Sequence, residues 1–273
     1  MKNILYVLAA VLLIAGCKSG ITWEKYRIDG HRTGVTAPSA DNVAQALGTI
    51  QEDGSYVAPN GKVFSEGSTP AVAMVLISAQ PAMADVKEVI AFSSRFMSKS
   101  APESELSNFA VDLVREETAR LTGLHTELAV INFGGIRTDM PEGDVLLDDI
   151  RSMFPFHNNL VWVELSGDAL MRLMNEIAEF GPQCISGARM VITDGHLESV
   201  EVGGEPVNPK KKYGVATVDF LLDGGDNIHV GQGASKLVDT GVTIGSAVEG
   251  YIRRLTAEGK AIDYKTDGRV IVK

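Results

Sequence analysis

The passage from Leu128 to Arg137 constrains this chain of 273 residues more than any other. Leu128-Ala129-Val130-Ile131 is apolar and rich in β-branched residues, the pattern of a buried strand. Asn132-Phe133-Gly134-Gly135-Ile136-Arg137 then breaks the strand with two adjacent glycines before presenting an arginine. Adjacent glycines tolerate positive φ and let another group approach the main chain closely. The guanidinium of Arg137 offers a planar five-donor fork suited to a phosphate, a carboxylate or a pair of ribose hydroxyls. These six residues alone also fit a tight turn with a surface arginine, so their company along the chain decides between the two readings.

A hydrophobic content of 45% is enough for a substantial core. The formal charge of −10 argues against a nonspecific nucleic-acid binder, which needs a basic face to displace counterions. Any bound anion must be captured by local groups. The two cysteines, Cys17 and Cys184, are too few for a disulfide scaffold, so packing has to supply the stability. At the start, Lys2 precedes an apolar stretch, Ile4 to Ile14, shorter than the roughly 20 residues that span a bilayer as a helix. Its shape is that of a secretory leader. Ile14-Ala15-Gly16-Cys17 resembles the lipobox of bacterial lipoproteins. That resemblance implies removal of residues 1–16, lipidation of Cys17, a tether over 17–21, and export to a bacterial membrane, on its periplasmic or outer-membrane face. Cys184 is then expected as a free thiol.

After a possible strand at Trp23–Ile28, the region Gly34–Gly67 is loop-rich, with a short helix near Asp41–Leu47 and a hairpin signal at Pro59-Asn60-Gly61. Pro70, behind Ser68 or Thr69, begins an apolar helix expected to reach Met83, and Val86–Phe92 reads as a strand. Ser100-Ala101-Pro102-Glu103 matches a capping box. A long helix to about Leu121 follows, with one stripe of Leu106, Phe109, Ala110, Leu113, Val114 and Thr118 ended by Gly123. Short elements at Asp144–Leu147 and Asp148–Met153 lead to Phe154-Pro155-Phe156-His157-Asn158 and a strand at Leu160–Leu165. Ser166 caps a helix to Phe180, with Leu170, Leu173, Met174 and Ile177 inward. Ala188–Val202 alternates as a hairpin turning at Asp194-Gly195, and Gly203–Pro209 is a second turn. Tyr213–Val218 is a strand running into Asp219-Phe220-Leu221-Leu222-Asp223-Gly224-Gly225-Asp226, and a helix at Ile244–Ala257 and a strand at Arg269–Val272 close the chain. No repeat or linker interrupts the chain after Cys17, so one folded unit of mixed α and β elements is expected.

Three loops carry the informative side chains, and in order they resemble one family. Asn-x-Gly-Gly-Ile-Arg at 132–137, Pro-Phe-x-Asn at 155–158, and Tyr-x-Val-Ala-Thr-x-Asp-Phe-Leu-x-x-Gly-Gly-Asp at 213–226 resemble the C-terminal substrate-recognition domain of the 5'-nucleotidases. Glu103-Ser104-Glu105-Leu106-Ser107-Asn108, leading to Asp112, is similar to that family's helix motif. The match runs over residues 85–273, leaving 22–84 as an N-terminal extension packed on the domain. It implies an α+β fold of layered α/β/β/α type. It implies that Phe156 and Phe220 sandwich a nucleobase, as aromatic faces do with little regard to base identity. Asn132 would meet a base edge, with Asn158 a polar neighbour. Asp226 would accept from ribose hydroxyls and Arg137 would reach ribose or phosphate, with Gly134, Gly135 and Gly225 letting the ligand close to the backbone. Family members commonly carry a further arginine just before the helix motif. Here that place falls at Ser100–Pro102 with no arginine, which leaves only the more distant Arg95.

Full-length members place the chemistry on a separate metallophosphatase domain with Asp-x-His, Gly-Asp-x-x-Asp, Gly-Asn-His and Gly-His-x-His motifs. Only Asp-x-His occurs here, as Asp29-Gly30-His31 and Asp194-Gly195-His196, and two isolated pairs do not make a dinuclear site. No P-loop or Gly-x-Gly-x-x-Gly fingerprint is present. The expectation is therefore a chain with no catalytic residues, metal ligands or cofactor of its own, inactive alone. It would bind a nucleoside or nucleoside monophosphate for a separately encoded metallophosphoesterase that holds divalent metals. The rival expectation is a nucleoside-binding lipoprotein with no hydrolase role.

Overall fold

The computed structural model describes Pro38 and residues 41–273. The leader, Cys17, the tether, the strand expected at Trp23–Ile28 and the Asp29-Gly30-His31 triplet lie outside the described residues. Helix α1 (Val43–Leu47) and three short strands, β1 (Thr49–Ile50), β2 (Tyr56–Val57) and β3 (Val63–Phe64), come first. The strands form an antiparallel meander, with Gly61 at φ 82° in the expected hairpin turn. Helix α2 (Thr69–Ala79) packs on β1 and β2 and carries Pro70 in its first turn. It stops short of Met83 because Pro81 has no N–H to donate, and two 3-10 turns, Pro81–Met83 and Asp85–Lys87, replace its expected end. Strand β4 (Val89–Ser93) therefore starts later than the apolar pattern implied.

Helix α3 (Glu105–Thr122) is capped by Ser104, whose hydroxyl accepts from the Ser107 N–H at 3.1 Å while Ser107 Oγ accepts from the Ser104 N–H at 2.9 Å. This corrects the box expected at Ser100. Pro102 disfavours helical backbone at Ala101. The Glu103 carboxylate is occupied by Asn108 Nδ2 and the Asp267 N–H, both at 2.7 Å. Gly123 ends the helix at φ 67°. All six residues of the predicted stripe are buried, where each large side chain contributes roughly 1.5–3 kcal/mol.

The order continues with β5 (Leu128–Ile131), β6 (Gly143–Leu146), α4 (Leu147–Met153), β7 (Asn159–Ser166), α5 (Gly167–Phe180), β8 (Cys184–Ser186), β9 (Ala188–Thr193), β10 (His196–Val202) and β11 (Glu205–Pro206). It ends with β12 (Lys212–Val218), β13 (Ala234–Thr243), α6 (Ile244–Ala257) and β14 (Val270–Val272). Five strands form a sheet in the order β13-β7-β12-β5-β8, four more the sheet β11-β10-β9-β14, and β4 pairs with β6. Helix α3 packs across the five-stranded sheet, and α5 contacts both β7 of that sheet and β10 of the other. Mixed, layered α and β structure is thus as expected.

Sheet direction fixes where a site can form. β5 and β12 run parallel, and β7 runs antiparallel to β12, with Val218 opposite Leu160. The loops after β5 and β12 and the loop before β7 therefore all emerge at one edge. β12 is buried from Tyr213 to Val218 and β5 throughout, so the strands that aim these loops are held on both faces.

Candidate functional site

Three main-chain and side-chain ties lock the loops together. The Arg137 N–H donates to the Met153 carbonyl at 2.9 Å, joining the first loop to the second. The Asn159 N–H donates to Asp219 Oδ2 at 3.1 Å, joining the second to the third. Asn132 Nδ2 donates to Asp226 Oδ2 at 2.7 Å, joining the first to the third. Between them is a cleft of about 250 Å³ lined by Asn132, Gly134, Gly135, Arg137, Phe156, Asn158, Phe220 and Asp226. Phe156 and Phe220 are each 46% exposed, and both present their rings to this one cleft. The Arg137 guanidinium carbon lies 5.8 Å from the centre of the Phe156 ring.

Gly134 and Gly135 line the cleft as expected, and Gly225 lies behind it. Gly134 and Gly135 form a 3-10 turn without positive φ, so backbone conformation does not require them. What a larger residue would meet at Gly134 is two side-chain ends, a Cβ there standing 3.1 Å from Asn132 Nδ2 and 3.2 Å from Asp226 Oδ2. Gly225 does not line the cleft. A Cβ there would stand 2.3 Å from the Phe220 carbonyl and 2.6 Å from its ring, so Gly225 backs the ring. Asn132 is 6% exposed, and its amide nitrogen is committed to Asp226, so it braces that carboxylate as well as facing the cleft. Asp226 and Asn227 sit at φ 52° and 62°, left-handed positions that cost energy in non-glycine residues and cluster at functional sites. Helix α5 holds this strained loop: Arg172 Nη2 donates to the carbonyls of His229 and Gln232, and Glu176 accepts from the His229 N–H at 2.9 Å.

Lys99 and Gln183 carried no motif signal. Lys99 Nζ donates to the Phe133 carbonyl at 3.1 Å and to that of Ile136, from beneath the glycine loop. Burial, and then the nearby Arg137 charge, push its ammonium below the ordinary value. Gln183 Oε1 accepts from the Phe133 N–H at 3.1 Å. Arg95, the nearest candidate for the absent family arginine, does not line the cleft, and its Nε donates to Asp263 at 2.7 Å. His157 is exposed and does not line the cleft. Asp194-Gly195-His196 forms the tip of the β9–β10 hairpin, with Asp194 at φ 51°. Cys184 is a buried free thiol whose burial raises its pKa. Among the described residues no group of three or more His, Cys, Asp or Glu side chains is placed to hold a metal ion. No described helix is long and apolar enough to cross a membrane.

The layered α+β domain thus presents two open aromatic rings, an arginine and a braced carboxylate around one cleft. The chain belongs to the 5'-nucleotidase C-terminal domain family, whose model matches residues 82–232, more than half of its length. It is 27% identical to the protein UshA of Escherichia coli over 141 residues, 50% of this chain and 26% of that one. It is 28% identical over 185 residues to the trifunctional nucleotide phosphoesterase protein YfkN of Bacillus subtilis, covering 62% of this chain and 12% of that one. The 5'-nucleotidase precursor from Thermus thermophilus superposes with a TM-score of 0.65 at 26% identity, over 80% of this chain and 45% of its own. The NAD nucleotidase of Haemophilus influenzae shares the fold, at a TM-score of 0.56 and 19% identity. The chain thus spans about a quarter of UshA and under half of the Thermus protein.

Proposed function

We propose that this chain is the nucleotide-recognition half of a split 5'-nucleotidase, exported and lipid-anchored through Cys17. It holds a nucleoside monophosphate by base and ribose, and leaves the phosphate to a separately encoded metallophosphoesterase. That partner supplies the divalent ions, which activate water and clamp the phosphoryl oxygens. The observation carrying this reading is the gathering of Asn132, Arg137, Phe156, Asn158, Phe220 and Asp226 around one cleft, in a chain whose described residues offer no metal-binding cluster. Phe156 and Phe220 would stack on the two faces of the base. Asp226, one oxygen held by Asn132, would turn the other to the ribose hydroxyls. Arg137 stands beside Phe156, where ribose and phosphate would leave the cleft.

Magnitudes favour a partner. Two stacked faces supply about 2 to 6 kcal/mol, against an association cost of about 4 to 15 kcal/mol, so the lone chain binds nucleosides weakly. The test is phosphate release from AMP with Mn²⁺ or Zn²⁺ added. The expected result is no turnover by the purified chain and turnover when a metallophosphoesterase encoded beside it is supplied. Robust hydrolysis by the chain alone would end the split reading. Tight, micromolar nucleoside binding with no phosphoesterase in the neighbouring reading frames would favour a ligand-delivering lipoprotein.

A further inference from the structure

A second opening of about 290 Å³ lies between α3, the turn joining β8 to β9, the turn joining β10 to β11, and the segment 267–269. It shares no lining residue with the nucleoside cleft. Its charged lining is Asp112, Arg115, Arg189, Asp267 and Arg269. Both carboxylates are already taken by one arginine. Arg269 Nη1 and Nη2 reach the two oxygens of Asp112 at 2.6 and 3.2 Å, and its Nε and Nη2 reach those of Asp267 at 3.0 and 2.8 Å. Ser186 Oγ donates to Asp112 as well, at 2.5 Å. The Arg269 hydrogen bonds hold the Asp267 carboxyl below its ordinary pKa, so it stays an acceptor for Arg269.

The other two arginines are different. Arg95, Arg120, Arg172, Arg253 and Arg254 each pair with a carboxylate. Arg115 and Arg189 are in no ion pair among the described residues, as Arg137 and Arg151 are not; Arg189 contacts the Asp267 carbonyl at 3.4 Å, and its charge adds to that of Arg269 in holding the Asp267 carboxyl low. The groove thus gathers three guanidiniums against two carboxylates, and both carboxylates are engaged by Arg269. The wall beside them is bare backbone. Gly187 is at φ 74°, a Cβ on it would stand 2.8 Å from Arg115 Nη1, and Gly203 and Gly204 at φ 61° and 84° continue the wall.

We propose that this groove binds a small oxyanion, inorganic phosphate being the probe that fits, gripped by Arg115 from the helix and Arg189 from the strand. Guanidinium forks match a tetrahedral oxyanion through paired charge-assisted hydrogen bonds. The proposal is independent of what the nucleoside cleft binds. The experiment titrates sodium phosphate into the full chain against sodium chloride of equal ionic strength, following melting temperature and ³¹P line width. Phosphate is expected to raise the melting temperature and broaden the ³¹P signal beyond the chloride control. Arg115→Gln with Arg189→Gln should weaken that binding about tenfold or more, and Arg189→Gln alone, at an exposed strand position, should weaken it partly. Arg137→Gln should leave it unchanged, which separates this groove from phosphate held at Arg137. Equal responses to phosphate and chloride, or a phosphate response that survives the double arginine substitution, would overturn the proposal.

Discussion

The chain makes two glycine-pair turns at the same sheet edge, one after β5 and one after β12, and they are glycine for different reasons. Gly134 and Gly135 have ordinary backbone angles, and the atoms a Cβ would crowd are the ends of two side chains, Asn132 and Asp226. Gly224 is at φ 105°, and its neighbour Gly225 has the Phe220 carbonyl and ring where a Cβ would go. Side-chain ends can yield by a few tenths of an ångström, whereas a carbonyl fixed in a turn cannot. The first turn therefore leaves room for adjustment, and the second fixes a ring and a carboxylate in place. Pairs that read alike as letters are thus unequal as parts of the site.

The largest effect tests whether the rings on either side of these turns work as a pair. Phe156→Ala combined with Phe220→Ala should remove about 2 to 6 kcal/mol of stacking. Adenosine-induced thermal stabilisation should disappear while the melting temperature of the free protein changes little, since both rings are half exposed. Retention of the adenosine effect would show that the rings are ordinary surface. Next comes the sharpest test of the comparison itself. Gly225→Ala forces the Phe220 ring or its carbonyl to move, an overpacking cost of typically 1 to 3 kcal/mol, and it also displaces the adjoining Asp226. Isothermal titration with adenosine should show a loss comparable to that of Phe220→Ala. Affinity equal to that of the unsubstituted chain would break the claim that this turn is the rigid one.

How far the sequence led depends on the range of each interaction. The stripe of α3, the caps at Ser166 and Gly123, and the hairpin at Asp194-Gly195 rest on neighbours within a few residues, and each is where the pattern puts it. The cap at Ser104 was misplaced by one turn because Glu103, the residue that made Ser100 look like a capping box, bonds instead to Asn108 and to Asp267 from the far end of the chain. Strand β13 gave no signal. It is an edge strand with Lys236 and Asp239, exposed along most of its length and broken by register shifts against β7, features that protect an edge from pairing with another chain. The cleft residues were visible as motifs. The braces behind them, Lys99 and Gln183, were not, because they act on main-chain groups 34 and 50 residues away. The second groove was equally hidden, since Arg115, Arg189 and Arg269 come to it from distant parts of the chain.

The tie between the two turns is open to a milder test. Asn132→Ala removes the 2.7 Å bond to Asp226, and a net hydrogen bond is worth about 0.5 to 1.5 kcal/mol. Because the bond spans both loops, the loss should fall on ligand affinity more than on the melting temperature, with ribose-containing ligands weakened and free adenine barely affected. An equal loss for adenine and adenosine would mean that Asn132 reads the base instead of holding Asp226.

The smallest effect is expected at the more tolerant turn. Gly134→Ala places a methyl 3.1 Å from Asn132 Nδ2 and 3.2 Å from Asp226 Oδ2, contacts that a small rotation of either side chain relieves. Since Gly134 has no positive φ, alanine adopts its backbone without strain and restricts the unfolded chain, a gain of about 0.4 to 1 kcal/mol where no strain opposes it. The variant should therefore melt at or slightly above the temperature of the unsubstituted chain and bind adenosine no more than about threefold more weakly, roughly 0.7 kcal/mol. Measured beside Gly225→Ala by the same calorimetry, the two substitutions should differ by at least the gap between a movable side-chain end and a fixed carbonyl. If Gly134→Ala abolishes binding as well, the first turn is as rigid as the second, and the Lys99 ammonium that grips its carbonyls from below becomes the reason.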